Sequence, residues 1–177
     1  MMSINILGIE IPDSRPVFLA TLAVHVTAGT VSAFSGALAA FSRKQVGRHP
    51  RAGKVYLVGL ATIFVTATIM AAMRWRYSWH LFVIACVAFG LGLLGLFARE
   101  RQWHRWMTWH GSAMGMSYVT LLTGFYVDNG HQLPLWNRLP TIAFWLLPSV
   151  IGVPLIVWAL ARNHALPGRR PAHRAVV

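Results

Sequence analysis

The sequence predicts an all-α integral membrane protein, a bundle of five transmembrane helices in one domain. Three observations carry that prediction. Of 177 residues, 56% are hydrophobic and only 11% charged, against about 25% charge in a soluble domain. The charges fall in short bursts between apolar runs whose length suits the ~20 residues needed to cross ~30 Å of hydrocarbon. The basic residues also favour alternate gaps between those runs, as in membrane proteins.

Sixteen Lys and Arg against four acids give a formal net charge of +12. A nucleic-acid partner does not fit, because these residues lie between apolar segments and no polar domain presents them as a patch. The partner implied is the lipid bilayer, in a bacterial cytoplasmic (inner) membrane.

The elements follow in order. The start, MMSINILGIEIPDSRP, has no basic leader and no cleavage site, so no removable signal peptide is expected. Apolar spans are read at 17–41, 55–73, 79–98, 108–127 and 141–161. Pro16, Pro50 and Pro140 stand just ahead of the first, second and fifth, where a missing N–H costs nothing. Residues 1–162 form the five-helix domain, and 163–177 a short, basic cytoplasmic tail expected to be flexible.

The loops set the direction. Arg43, Lys44, Arg48, Arg51 and Lys54 precede the second span, Arg99, Arg101 and Arg105 precede the fourth, and Arg162, Arg169, Arg170 and Arg174 follow the fifth. Those twelve face four on the other side, Arg15, Arg74, Arg76 and Arg138. The positive-inside rule therefore places the N-terminus outside and the C-terminus inside. Trp75, Trp79 and Trp136 mark the outer boundary, and Trp103, Trp106 and Trp109 the inner one.

Small residues predict close helix packing: Gly29, Ser32 and Gly36 in the first span, Gly90, Gly92 and Gly95 in the third, Gly111 and Gly115 in the fourth. Pro148 and Pro154 are expected to kink the fifth. Cys86 is alone in an apolar run, so it reads as a packing residue and excludes a disulfide within the chain.

Eight histidines stand beside four acids. His164 and His173 fall in the tail and read as solvated. The outer set is His25, His80 and His131, with Asp128 near by. His25 lies roughly 13 Å below Pro16 at 1.5 Å per residue, and an ionisable group so deep defaults to a functional hypothesis. Its bland reading is a buried histidine bonded to a Ser, Thr or carbonyl. His80, His131 and Asp128 offer a weak metal set at the outer mouth.

The inner set is His49, His104 and His110. His49 and His104 both stand at a cytoplasmic helix start, which suggests a facing pair at one depth. His110 lies roughly 9 Å deeper and about 240° round the helix from His104. His25, His49, His104 and His110 are thus the candidate cofactor ligands. A bis-imidazole haem b needs one histidine from each of two helices at equal depth. Zinc asks for three or four ligands, whereas Met107, Met114 and Met116 beside His110 would suit copper(I). No HxxxH, HExxH, CxxCH or Walker motif is present.

GRHPRAGKVY at 47–56 and WHRWMTWHGSAMGMSYVTLLTG at 103–124 resemble a family of small bacterial membrane proteins known as a domain of unknown function, number 2306. His49, Gly53, Lys54 and Tyr56 match its first motif; His104, Arg105, Trp106, Met107, Ser117 and Tyr118 match its second, with His25 a third element. The likeness covers about residues 20–126. It implies a membrane protein and singles out His49 and His104, without assigning an activity. Diheme transmembrane b-type cytochromes are similar in architecture alone.

These observations lead to a small membrane protein with a histidine-lined haem or metal site, used in electron transfer, redox chemistry or metal handling. The alternatives are a non-catalytic accessory or assembly subunit of a larger membrane complex or homo-oligomer, and a small proton-coupled carrier titrating at His25. A hydrolase built on Ser14, His131 and Asp128 ranks last, because no nucleophile motif organises them.

Overall fold

A computed structural model describes residues 4–6, 9–11, 13–42, 47–134 and 136–162. Arg43, Lys44, His164, His173 and the expected tail lie outside the described residues. Two short strands, β1 (Ile4–Ile6) and β2 (Ile9–Ile11), pair antiparallel with Ile4 opposite Ile11. The sequence reading did not anticipate this hairpin. Five helices follow: α1 (Pro16–Phe41), α2 (Arg48–Met73), α3 (Trp75–Glu100), α4 (Trp106–Asn129) and α5 (Thr141–Arg162). Two short 3-10 turns, Gly130–Gln132 and Trp136–Arg138, link α4 to α5.

Local chemistry explains the boundaries. Pro16 opens α1, where its fixed φ suits a first turn and no N–H is needed. Asp13 braces this start: its Oδ1 accepts the Arg15 backbone N–H at 3.0 Å, and its Oδ2 accepts Arg15 Nε–H at 2.9 Å. α2 begins at Arg48 rather than 55, because the polar stretch RHPRAGK is already helical. Pro50 then occupies the third helical position, where a helix N–H still has no partner within the helix. α2 and α3 are separated by Arg74 alone, so α3 starts earlier than 79. Between α3 and α4 the chain reverses through Gln102 and Arg105, both at positive φ (46° and 61°).

Neighbours in sequence are neighbours in space. α1 packs on α2, α2 on α3 and α3 on α4, while a lighter α1–α4 contact closes a ring of four. α5 packs against the outside of α4. Glycine allows the closest approaches. A Cβ on Gly95 would come 2.8 Å from Met114 Cγ, and one on Gly111 2.7 Å from Leu160. Gly36, Gly92 and Gly115 meet neighbouring helices in the same way, whereas Gly29 and Gly90 do not. α5 runs through Pro148 and Pro154 without a break in the helix.

α1, α2, α3 and α5 are each long and apolar enough to cross a membrane. Their outward faces are hydrocarbon: Phe34, Val58 and Val150 are 74%, 69% and 67% exposed. The interior is small and partly polar, with Tyr56, Leu60, Ala88, Ser32 and Ser117 all buried. α4 is as long but less apolar, since it carries His110 and the hydroxyls of Ser117, Tyr118, Thr120 and Thr123. Apolar transfer into lipid favours the other four helices; α4 is enclosed by α3, α5 and α1.

Candidate functional site

The site is built from two helices that run in the same direction. On α2, His49 and Tyr56 are seven residues apart, and on α4 so are His110 and Ser117. Seven residues are nearly two full turns, so each pair lies along one face, roughly 10.5 Å apart. The two faces meet in register. The His49 and His110 ring centres lie 6.3 Å apart, edge to face, and Tyr56 Oη lies 2.7 Å from Ser117 Oγ.

The remaining helices of the ring hold the imidazoles in place. His49 Nδ1 lies 2.9 Å from the Ala39 carbonyl at the end of α1. His110 Nδ1 lies 2.8 Å from the Gly95 carbonyl on α3. A carbonyl can only accept, so in the neutral ring each Nδ1 carries the hydrogen and each Nε2 is the basic atom. Metal-ligating histidines are oriented by the same kind of bond on the far nitrogen. Trp106 flanks the pair, its ring 6.4 Å from that of His110. Met114, one turn above His110, lays its thioether on Gly95, the residue whose carbonyl receives the His110 bond.

His104 takes no part in this arrangement. The sequence reading pairs it with His49, but the fold puts His110 there and leaves His104 exposed in the turn before α4. Counting depth from the helix starts produced the error. The matched contacts set residue 49 level with residue 110, so α4 begins about one turn outside α2.

The layer above the histidines is a buried hydroxyl cluster. Tyr118 Oη donates to the Ala33 carbonyl of α1 at 2.9 Å, and the Tyr56 and Tyr118 ring centres are 6.2 Å apart. Ser32 is fully buried, and its Oγ has no hydrogen-bond partner. Tyr56, Ser117 and Tyr118 entered the sequence reading only through the family resemblance.

His25 is a separate site. Fourteen residues separate it from Ala39 on α1, or roughly 21 Å along the axis. Its Nδ1 lies 2.8 Å from Thr66 Oγ1, which also sits 2.7 Å from the Thr62 carbonyl. A hydroxyl has one hydrogen, so with Thr62 receiving it, His25 Nδ1–H donates to Thr66. The bland reading names such a partner, a threonine, and His25 is half-buried. At the same end, aromatic rings flank the other two histidines. His80 lies between Trp79 and Trp145, and His131 meets Phe144 edge-on at 4.8 Å. Asp128 is exposed near the end of α4, within electrostatic reach of His80 and Arg74. Among the described residues, no group of three or more His, Cys, Asp or Glu is placed to hold a metal ion.

No family model, curated protein or solved structure matches this chain.

Proposed function

We propose that this chain is a metal-handling or redox protein of the bacterial inner membrane, and that His49 and His110 bind one copper(I) ion. It spans the bilayer five times, α4 included, with its N-terminus outside and the histidine pair near the cytoplasmic face. One observation carries the reading: imidazoles from two different helices meet at one level, each anchored through Nδ1 to a backbone carbonyl. Two imidazoles sharing an ion at about 2.0 Å from each nitrogen bring their ring centres roughly 5 Å apart at a tetrahedral angle and about 6.3 Å apart in line. The 6.3 Å separation matches the linear limit.

The ligand chemistry supports copper(I) over the alternatives. Zinc requires further N, O or S donors from the protein, and no cluster of three such residues exists among those described. Copper(I) accepts imidazole and thioether, and Met114 is the thioether beside His110. Bis-imidazole haem fits less well. Met114 packs on Gly95, the residue whose carbonyl holds His110, so the side chain nearest along the helix is a thioether rather than an open apolar slot.

The test is copper(I) titration of detergent-purified protein against a chromogenic chelator, with an absorption spectrum of the same sample. One equivalent per chain is expected, weakened at least tenfold by His49→Ala and by His110→Ala and unchanged by His104→Ala. Binding that survives both of the first two substitutions refutes the assignment. A Soret band lost in the same two variants returns the site to haem.

A further inference from the structure

We propose that a groove between α1 and α2 holds one acyl chain of an anionic phospholipid, with the Lys54 ammonium meeting its phosphate. This rests on the membrane reading of the helices and is independent of metal at the histidine pair.

The groove is an open depression of about 650 Å³ on the surface of the helix pair. Its floor is Ala28 and Gly59, both buried, and its sides are Val24, Val31, Val55 and Val58. Two threonines also line it, and each spends its hydroxyl hydrogen within its own helix. Thr27 Oγ1 donates to the Ala23 carbonyl at 2.8 Å, and Thr62 Oγ1 to the Val58 carbonyl at 3.0 Å. With those hydrogens spent, Lys54 is the one side-chain donor left in the lining and the other residues are apolar, so the groove suits a hydrocarbon chain.

Charge selects the headgroup. Lys54 is the single charged residue lining the groove, and it is exposed. It stands six residues inside the start of α2, roughly 9 Å along the helix. Arg51, one turn further out, is exposed on the same side. Among the described residues the ion pair is Arg15–Asp13, at the far end of α1, so no carboxylate there neutralises Lys54. An acyl chain lying in the groove carries its phosphate up to Lys54 and the rest of its headgroup toward Arg51.

The test is native mass spectrometry of the full chain, delipidated in detergent and then mixed with phosphatidylglycerol or phosphatidylcholine of identical chains. Wild-type protein is expected to retain phosphatidylglycerol about fivefold better, the contribution of one basic residue at an anionic surface. Lys54→Gln removes that preference, and Val58→Trp, at an exposed position, fills the groove and lowers retention of both lipids. Equal phosphatidylglycerol retention by wild type and both variants overturns the proposal. So does displacement of the lipid by an equal concentration of oleate, which assigns the groove to free fatty acid. A dimer that Val58→Trp dissociates also overturns it, since a second copy then fills the groove.

Discussion

Ser117→Ala tests the hydroxyl layer that sets the helix register. Tyr56 Oη and Ser117 Oγ are 2.7 Å apart, on residues 2% and 0% exposed. Removing Ser117 Oγ leaves the buried Tyr56 hydroxyl without the partner it has within hydrogen-bond distance. An orphaned buried hydroxyl costs about 1–3 kcal/mol. Tyr56→Phe is expected to cost less, since a serine within a helix can turn its hydroxyl to a carbonyl one turn back. Replacing both leaves no polar group stranded, so the double variant costs less than the sum of the singles. Its coupling energy should be about 0.6 kcal/mol and not above about 1.7 kcal/mol, the average and maximum for hydrogen bonds between membrane helices. Unfolding by SDS in mixed micelles, followed by circular dichroism, measures all four species. Additive single costs, or a Tyr56→Phe loss equal to or above that of Ser117→Ala, would refute the reasoning.

Two further outcomes follow from the packing and the ion pair. A Cβ added by Gly59→Ala collides with the buried Ser32 Oγ, so that variant should lose about 1–3 kcal/mol by overpacking. Ser32→Ala removes the obstructing, unpartnered hydroxyl, is expected to be neutral or mildly stabilising, and should restore most of the loss in the double variant; SDS midpoints check both. At the N-terminus, the Arg15 guanidinium and backbone N–H bonded to Asp13 hold its carboxyl below the ordinary value of 3.8. A depressed folded pKa contributes stability above the unfolded value and loses it as pH falls through the folded one. Exchange protection of the first turn of α1 should therefore fall only in acid below pH 3.8, and Asp13→Asn should abolish that pH dependence.

The helices were legible because their outward faces are apolar, as lipid contact would require, so whole segments of sequence are apolar. The expected spans begin up to seven residues late where a first turn is polar, as in RHPRAGK of α2. Hydropathy registers the hydrocarbon around a helix and says nothing of helix that projects beyond it. The same blindness misassigned the inner site: depth counted from apolar starts placed His104 beside His49, whereas α4 overhangs α2 and carries His104 into the turn. The signal for the right partner was present as a constant offset, since 49 to 110 and 56 to 117 are each 61 residues. It becomes meaningful once α2 and α4 are known to run parallel and touch, which periodicity alone does not determine. The offset also connects the two layers mechanically. A one-residue slip of α4 turns its face by about 100° and would part Tyr56 from Ser117 as it parts His49 from His110. The buried hydroxyl bond, roughly 10.5 Å away, therefore fixes the register at which the imidazoles meet. Ser117→Ala should loosen the histidine pair without touching either ring.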